Sequence, residues 1–434
     1  SWAYDGLGRV TSSVALTGGT TTYSYDGATL TTTVRKTDGT NTFVEVYRYD
    51  VAGNLIQYVD PRPQAYRTVY TYYDNDLLES VTWAAGTDEE AVETYFYDRA
   101  KNLVAVVGPR KNATTGQFYR TTFEYDARSF QIAMVDAEGV RTEYDNDAAE
   151  NVIEMRQYDR SGTVDRVTRN VYNGVSQLVK QVDPLGRETT YEYDEVYNVR
   201  FVHKPESDAD GAPVYSESTY DPLNRLVRQR DFAGYTTQFR YNEALLVKVI
   251  DARGYETLNE YDPRDRIKKV TQDIGGGSQA VTEYAYDDGA RTREVKDPNG
   301  NVTRETYDLL GRMTSSTRAY ATANAFTVTY RYDEAGNRTE EIDPRGESYE
   351  TAYEYDGLNR ARKITWAPGV PLEMSEVRYD YDKAGNCTRY VDPLGNATTY
   401  AYDGVGNLVS EVGPTGLVTL YQRDAYGNVV TEID

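Results

Sequence analysis

The apolar and polar residues of the chain alternate with a period of two. The triplets Tyr-Glu-Tyr at 191–193, Tyr-Arg-Tyr at 330–332 and Tyr-Ala-Tyr at 400–402 show this alternation. It is typical of β-strands, because successive side chains of a strand point to opposite faces. The pattern therefore predicts strands rather than helices, with both tyrosines of each triplet on one face of a sheet.

A Tyr-Asp pair recurs along the whole chain at intervals of 19 to 28 residues. Self-similarity at such a spacing indicates a repeat protein. About nineteen units cover residues 1–434 as a single array, which leaves no room for a separate catalytic domain. Two units have Tyr-Asn instead, at Tyr172 and Tyr241, and Tyr158 begins an extra pair outside the main spacing.

Two turn motifs separate the strands. In Tyr-Asp-x-x-Gly the aspartate can accept hydrogen bonds from backbone amides two residues on, and the glycine accepts a positive φ. Asp-Pro-x-Gly has the residue order of a type I turn. We interpret both motifs as structural turns. Their best copies comprise Tyr332, Asp333, Gly336, Asn337, Asp343, Pro344, Gly346, Tyr381, Asp382, Gly385, Asn386, Asp392, Pro393, Gly395, Tyr402, Asp403, Gly406 and Asn407.

Each unit thus contains a strand, a turn, a second strand and a second turn, which predicts a continuous antiparallel meander. Extra residues replace the Asp-Pro-x-Gly turn at 83–94, 108–119, 203–215, 272–281 and 366–376, whereas the Gly-Asn turns stay short. One rim of the sheet should therefore be smooth. The other should carry loops, where variable contacts are usually made.

A sheet of this length cannot stay flat. Two strands per unit at about 4.8 Å spacing extend on the order of 180 Å, and the twist between strands forces such a sheet to coil or close. Coiling would leave a hollow. A β-propeller is the alternative, since two units approach the size of a four-stranded blade, but the uneven unit lengths argue against equal blades.

The repeat resembles that of the RHS/YD-repeat family of bacterial polymorphic toxins, ABC toxin complexes and teneurins. The shared pattern is Tyr-Asp-x-x-Gly-Asn/Arg, then Asp-Pro-x-Gly, then Thr-x-Tyr-x-Tyr-Asp, with the best copies at 332–356 and 381–403. The resemblance implies an all-β fold coiled into a hollow β-shell or spiral. In the toxin members the shell holds a C-terminal toxic domain, which is released by self-cleavage at an aspartate-bearing core region. We find no counterpart of that region, so we expect this chain to be a structural part of the shell and to contain no catalytic residues.

Composition narrows the possible partners. The formal net charge is −22, and no stretch gathers Lys and Arg into a patch, which disfavours nucleic acids and anionic lipid surfaces. No run of 18 apolar residues occurs, so we expect no membrane insertion within this segment. The 42 tyrosines against 9 phenylalanines suit a sheet with water nearby.

Candidate chemistry is sparse, and we expect no metal, no cofactor and no enzymatic activity. Cys387 and His203 are the only residues of their types, and no nucleophile motif accompanies His203. Calcium could bind the turn aspartates, but these are explained as turn formers and the calcium β-roll pattern is missing. The acidic run 88–90 falls in an exposed loop rather than a glycosidase cleft. Tyrosine rows could stack on sugars, but because they recur in every unit we favour a cross-strand ladder.

Two functions fit these expectations. The first is a non-enzymatic wall that encloses or shields a protein cargo, such as a C-terminal toxin domain. The second is a cell-surface fibre or adhesin whose long loops bind a partner. Either implies a secreted or cell-surface protein. Because the chain starts at Ser1 and both ends lie inside the pattern, we expect a piece of a longer polypeptide with further repeats as neighbours.

Overall fold

The computed structural model describes residues 1–15, 18–207 and 213–434. This part of the chain is all-β, with 38 strands and one short 3-10 turn at Glu347–Tyr349. Each strand pairs antiparallel with the strands before and after it in sequence, so that all of them form one open sheet. The prediction of a continuous antiparallel meander is confirmed.

The strand bounds follow the repeat. The strands are β1 (Trp2–Tyr4), β2 (Val10–Val14), β3 (Thr20–Asp26), β4 (Thr31–Thr37), β5 (Thr42–Tyr49), β6 (Leu55–Val59), β7 (Arg67–Tyr72), β8 (Leu78–Trp83), β9 (Ala91–Tyr97), β10 (Leu103–Lys111), β11 (Phe118–Tyr125), β12 (Gln131–Val135), β13 (Arg141–Asn146), β14 (Val152–Tyr158), β15 (Val164–Tyr172), β16 (Leu178–Val182), β17 (Glu188–Tyr193), β18 (Val199–Ser207), β19 (Pro213–Tyr220), β20 (Leu226–Arg230), β21 (Thr236–Asn242), β22 (Leu245–Ile250), β23 (Glu256–Tyr261), β24 (Ile267–Gly275), β25 (Ser278–Asp287), β26 (Thr292–Lys296), β27 (Val302–Tyr307), β28 (Met313–Arg318), β29 (Phe326–Tyr332), β30 (Arg338–Ile342), β31 (Thr351–Tyr355), β32 (Ala361–Trp366), β33 (Ser375–Tyr381), β34 (Cys387–Val391), β35 (Ala397–Tyr402), β36 (Leu408–Val412), β37 (Val418–Arg423) and β38 (Val429–Ile433).

The sheet has two different rims. Turns from odd-numbered to even-numbered strands carry the Tyr-Asp motif, and we call this edge the Tyr-Asp rim. Turns from even-numbered to odd-numbered strands form the opposite edge, which we call the loop rim. Loops at 84–90 and 367–374 lie on the loop rim, as predicted, and a further loop at 319–325, which was not predicted, lies there too. The insertions at 203–215 and 272–281 instead lengthen the β18–β19 and β24–β25 hairpins, and residues 208–212 lie outside the described residues.

The sheet is a single layer. Among the described residues, sustained contacts between strands are confined to sequence neighbours, and no second sheet packs on either face. No large side chain is fully buried there, and most of the buried apolar residues, such as Val34, Val81 and Ala105, are small; Phe43, at 4% exposed, is the largest of them. Ladder hydrogen bonds and cross-strand pairs therefore stabilise this fold instead of a thick core.

A β-bulge recurs beside the Tyr-Asp rim. In the β29–β30 pair, Arg331 is opposite Glu340 but Tyr332 is opposite Arg338, so that Thr339 is an extra residue on β30. Most odd–even pairs share this shift; the β3–β4 and β25–β26 pairs do not. Bulges bend a strand and increase its right-handed twist. Their repetition along one edge favours coiling of the sheet.

The sheet coils until its two rims meet. Hydrogen bonds cross the line where the rims meet, and they join residues that are separated by 266 to 295 positions in the sequence. The β6–β7 turn contacts the β31–β32 turn, 25 strands further on, and the β12–β13 turn contacts the β35–β36 turn, 23 strands further on. The prediction of a β-spiral is confirmed, and the propeller alternative is wrong because the strands are not divided into blades. Among the described residues, no helix has the length and apolar composition needed to cross a membrane.

Candidate functional site: the rims of the sheet

The turn at 332–337 shows how the Tyr-Asp motif works. The amide of Gly336 donates to the carbonyl of Asp333 at 3.1 Å, and the amide of Asp333 donates to the carbonyl of Asn337 at 2.9 Å. The carboxylate of Asp333 accepts the Asn337 amide and side chain, both at 2.8 Å. Gly336 has a φ of 93°, which explains why glycine stands there.

The copies at 381–386 and 402–407 have the same geometry. Asp382 accepts the backbone amide of Asn386 at 2.9 Å and its side chain at 2.8 Å. Asp403 accepts the equivalent groups of Asn407 at 2.8 and 3.1 Å. Gly385 and Gly406 have φ values of 96° and 90°.

The Asp-Pro-x-Gly turns on the loop rim use the same hydrogen bonds. The amide of Gly395 donates to the carbonyl of Asp392 at 2.9 Å, and Asn396 donates its amide and side chain to the Asp392 carboxylate. The amide of Gly346 likewise donates to the carbonyl of Asp343 at 2.9 Å. Pro344 and Pro393 stand at the second turn position, where no amide donor is needed.

The tyrosine of the motif has a partner that the sequence does not reveal. In most units its hydroxyl donates to the carbonyl at the start of the preceding even-numbered strand, whereas Tyr307 donates to the carboxylate of Glu305. Tyr332 donates to Met313 at 2.7 Å, and Tyr402 donates to Cys387 at 2.8 Å. Tyr381 donates in the same way to Ala361 at 2.7 Å. At this rim the ladder between the two strands has ended, so the hydroxyl satisfies a carbonyl that lacks a strand partner.

Tyr73-Asp74 and Tyr144-Asp145 are out of the predicted register. At Tyr73-Asp74 the strand ends with Tyr72, whose hydroxyl donates to Leu55, and Tyr73 takes the position of the aspartate. This register puts Asp76 rather than Leu77 at the positive-φ position, with a φ of 63°. At the Tyr144-Asp145 pair, β13 continues for two more residues, as described next.

The β13–β14 turn is formed by Asp147 rather than Asp145. Asn146 replaces the tyrosine, and its side chain donates to the carbonyl of Gln131 at 2.9 Å. The carboxylate of Asp147 accepts the Asn151 side chain at 2.9 Å, as in the regular turns. The extra pair at Tyr158 lies on the loop rim, outside the main spacing.

The line where the two rims meet, which we call the seam, contains most of the buried polar residues of the sheet. Five of the eight buried polar or charged residues in the described chain belong to it: Asp60, Arg62, Asp308, Asp356 and Asp403. Arg62 lies on the β6–β7 turn and pairs with Asp60 at 2.8 Å. Its guanidinium donates to the carbonyls of Asp356 at 2.9 Å and Gly357 at 3.0 Å. A planar guanidinium suits two adjacent carbonyls in this way.

A second arginine repeats this arrangement further along the seam. Arg110 donates to the carbonyls of Tyr402 and Asp403, and its guanidinium lies 3.4 Å from the Asp382 carboxylate. Glu138 accepts the amide of Gly404. The seam is therefore held by loop-rim side chains that bind backbone groups of Tyr-Asp turns.

In the ion pair near the start of the seam the roles of the rims are reversed, because the arginine lies on the Tyr-Asp rim and its acceptor on the loop rim. Arg312 belongs to a Tyr-Asp turn, and its guanidinium lies 3.1 Å from the carboxylate of Asp38 on the loop rim. The amide of Leu309 donates to the carbonyl of Asp38 at 3.3 Å. Both side chains are mostly shielded from solvent, which strengthens the pair relative to a surface ion pair.

The exposed turn aspartates are electrostatically stabilised. Hydrogen bonds from the Asn396 side chain, and then from backbone amides, lower the pKa of Asp392. The equivalent bonds from Asn102 and Asn301 lower the pKa of Asp98 and of Asp297. These carboxylates are therefore ionised turn formers at neutral pH.

Tyrosines of the sheet are held as neutral phenols. Burial, followed by the hydrogen bond to Glu305, raises the pKa of Tyr307 to about 12. Burial and the nearby Glu45 carboxylate raise the pKa of Tyr58 to about 12. Tyr58 also stacks on Tyr47 across the β5–β6 pair with ring centroids 5.1 Å apart. Such stacking supplements the hydroxyl–carbonyl bonds of the Tyr-Asp rim.

The single histidine and cysteine occupy ordinary sheet positions. His203 lies on β18 between the rings of Phe201 and Tyr215, with Nε2 3.2 Å from Glu192. Cys387 is half-buried at the start of β34, and burial raises the pKa of its thiol. Within the described residues there is no group of three or more His, Cys, Asp or Glu side chains that could hold a metal ion.

Comparison with known proteins agrees with the repeat geometry. Residues 172–212, 320–348, 381–416 and 402–434 match the model of the RHS repeat. The chain therefore contains RHS repeats in these segments. No curated protein sequence matches this RHS-repeat chain.

Two solved structures share the fold of the RHS-repeat chain. The crystal structure of TcdB2-TccC3-Cdc42 aligns with 95% of the chain at a TM-score of 0.59 and 14% identity. A mutant Tc holotoxin pore of Photorhabdus luminescens aligns with 98% of it at a TM-score of 0.54 and 13% identity. The chain spans 26% and 27% of those proteins, so the likeness concerns the fold of about a quarter of each.

Proposed function

We propose that this chain is a non-enzymatic section of wall that encloses or shields a protein cargo outside the cell. The observation that carries the proposal is the seam: the sheet returns to itself after 23 to 25 strands and is joined there by buried hydrogen bonds. A single-layer sheet that closes on itself separates an inner face from an outer one. The fold shared with Tc toxin components supports the same role.

Charge supports a protein cargo over a nucleic acid. The net charge of −22 repels polyanions and attracts basic proteins. Screening at physiological salt limits that attraction to about 8 Å, so it acts only on a cargo already close to the wall. A toxin domain of the same polypeptide would be such a cargo.

Cryo-electron microscopy of the polypeptide that carries this chain tests the proposal. A closed ovoid with density inside is the expected result. A protease-protection assay adds a second readout, because a cargo behind the wall should resist digestion until the seam is weakened by Arg62→Ala. Arg187→Ala is the control, since Arg187 lies on the loop rim away from the seam and is 54% exposed. An empty wall, or a cargo digested equally fast in all variants, would refute enclosure.

A cell-surface fibre or adhesin is the second candidate. The observation that favours it is the 367–374 loop, where Leu372 and Met374 are exposed on a part of the loop rim outside the seam. Exposed apolar side chains on a protruding loop are typical of binding sites. In the same images this function predicts a rod without an enclosed volume.

A further inference from the structure

In the unit of β13 an asparagine replaces the motif tyrosine. The side chain of Asn146 donates to the carbonyl of Gln131, the residue that starts β12, at 2.9 Å. The hydrogen bond of the motif is therefore kept. An asparagine side chain fills much less space than a phenol ring, however, so this unit should have a cavity where the other units have the ring.

A pocket of about 480 Å³ lies at this place. It is formed by four consecutive strands and the two turns that join them on the Tyr-Asp rim. Its apolar wall consists of Tyr125, Phe130, Tyr144 and Val152, and its polar lining includes Gln131 and Asn146. Small-molecule sites are typically about 300–1,000 Å³ in volume and combine an apolar wall with a few polar groups in the same way.

Phe130 occupies the position that covers a tyrosine ring in other units. It is the fifth residue after the motif tyrosine, as are Arg312 and Arg360. Those two guanidinium groups lie 4.8 Å from the ring centre of Tyr332 and 4.6 Å from that of Tyr381. In the unit of β13 the covering residue is itself aromatic, and the residue to be covered has no ring. Because aromatic rings pair favourably in offset or edge-to-face contact, this wall suits an aromatic ligand.

The carbonyl of Gln131 can still accept a phenol hydroxyl. A carbonyl oxygen has two lone pairs, and Asn146 uses one of them. Near the start of β22, the carbonyl of Leu246 accepts the side chain of Asn259 at 2.9 Å and the hydroxyl of Tyr261 at 2.8 Å. One carbonyl in this position therefore serves an asparagine and a phenol together.

The pocket is separate from the part of the rim that meets other turns. At the seam, loop-rim side chains approach the residue after the turn aspartate, as Tyr66 does at Gly357. Ala127 and Ala148 have that place in the two turns of the pocket, and neither of them lines it. A turn docked on this rim would therefore contact other residues than those that form the pocket.

We propose that this pocket binds a para-substituted phenol, whose ring takes the place of the missing tyrosine ring. The phenol hydroxyl would donate to the carbonyl of Gln131, and the ring would pack against Phe130. The para substituent would leave through the open side of the pocket. The inference goes beyond the proposed function and does not depend on a cargo.

Saturation-transfer NMR of the whole chain with p-cresol tests this proposal. p-Cresol has the ring, the hydroxyl and the first carbon of a tyrosine side chain. The parent chain should bind it at millimolar concentration. Asn146→Tyr should weaken the binding at least about tenfold, because the new side chain fills the pocket and its hydroxyl reaches Gln131. Asn299→Tyr is the matched control, since it adds the same ring at an exposed turn position and should bind as the parent chain does.

A second variant and a second probe make the test specific. Phe130→Ala removes the aromatic wall and should also weaken p-cresol binding about tenfold. p-Methylanisole has no hydroxyl hydrogen and should bind more weakly than p-cresol. Circular dichroism of each variant establishes that the fold is kept, which is expected for Asn146→Tyr because tyrosine is the usual residue there.

The peptide Gly-Tyr-Gly distinguishes the two sources of a phenol. Tighter binding than that of p-cresol identifies a tyrosine of a polypeptide as the ligand, and weaker binding identifies a free small molecule. A parent chain that does not bind p-cresol would overturn the proposal. So would p-cresol binding that is unchanged in Asn146→Tyr, or p-methylanisole binding as strong as that of p-cresol.

Discussion

Arg62 and Asp356 lie 294 positions apart in the chain, and the guanidinium of the first donates to the backbone carbonyl of the second at 2.9 Å. Both residues are buried. The bond joins the loop rim of one revolution of the sheet to the Tyr-Asp rim of the next. Stability of the spiral therefore depends on a few polar contacts and not on a continuous apolar core.

Replacement of Arg62 by alanine should destabilise the protein by about 3–5 kcal/mol, because it leaves the buried Asp60 carboxylate without a cationic partner. Arg345→Ala is the matched control. It removes an arginine from the same kind of turn where the side chain is 59% exposed, so the change should stay within about 0.5 kcal/mol. Denaturant unfolding at low protein concentration measures both. Equal losses in the two variants would contradict the structural role of the seam.

Gly357→Ala should be destabilising although the backbone there is not left-handed. The added Cβ would lie 2.5 Å from the Tyr66 ring, and overpacking of this kind costs about 1–3 kcal/mol. Gly174→Ala places the same methyl group in open space and should be close to neutral. Thermal unfolding of the two variants gives the comparison. If Tyr66→Ala does not rescue Gly357→Ala, the clash is not the cause.

Tyr332→Phe removes only the hydroxyl that donates to Met313. The expected loss is about 0.5–1.5 kcal/mol, since the carbonyl of Met313 lies at the end of its ladder. Tyr191→Phe is the control, because the described residues offer its hydroxyl no hydrogen bond. A similar loss at both sites would mean that the ring contacts, and not the hydroxyl, are what the motif needs.

The protein should lose stability in acid. The folded-state pKa values of Asp98, Asp297 and Asp392 lie below the ordinary value of 3.8. Their contribution is therefore present above that value and is lost as the pH falls through the folded-state pKa. The melting temperature should be level between about pH 5, one unit above the ordinary pKa, and neutral pH, and it should fall below about pH 4.

Asparagine at these three positions is the control for the acid transition. Asn173 shows that an asparagine can form the same turn, since its side-chain oxygen accepts the amides of Val175 and Gln177. The triple variant should fold and should lose less stability between neutral and acid pH than the parent chain. An unchanged acid transition would show that other carboxylates dominate it.

The alkaline transition should have the opposite sign. Tyr58 and Tyr307 have folded-state pKa values raised from 10.0 to about 12. Their contribution to stability is complete below pH 10 and is lost as the pH rises through about 12. Absorbance at the phenolate wavelength should show a late group of titrating tyrosines in the folded chain. In denaturant all tyrosines should titrate near pH 10, and a single early transition in the folded chain would contradict the assignment.

The fold was predictable from the sequence because its strands and turns are determined by residues close together in the chain. Alternation identifies strands, and Asp333, Gly336 and their equivalents identify turns within six residues. The register at Tyr73 was mispredicted because the positive-φ position, filled by Asp76, outweighs the Tyr-Asp pair itself. A rule that tests the fourth residue after each tyrosine would have found this.

The seam could not be predicted because its position depends on the sum of small twists and bulges over some two dozen strands. An error of a few degrees per strand would move the contact of Arg62 to another turn. The sequence does contain a signal for it. Gly357 and Gly404 follow an aspartate where other units have Val51, Arg99 or Lys383. A glycine at this position permits a close approach by another part of the chain, although Gly6, Gly27 and Gly174 occupy the same position without such a contact.

The pairing of the docked loop-rim turns with turns 23 to 25 strands further on has a consequence for how such a gene can change. Loss or duplication of one whole unit in the first revolution would leave every hairpin intact. It would, however, shift all later turns past their partners. Bulky residues would then replace Gly357 and Gly404 beneath the rings of Tyr66 and Tyr119. The same event after the last docked turn would disturb nothing upstream. Recombination should therefore be tolerated at the growing end of the array and selected against in its interior.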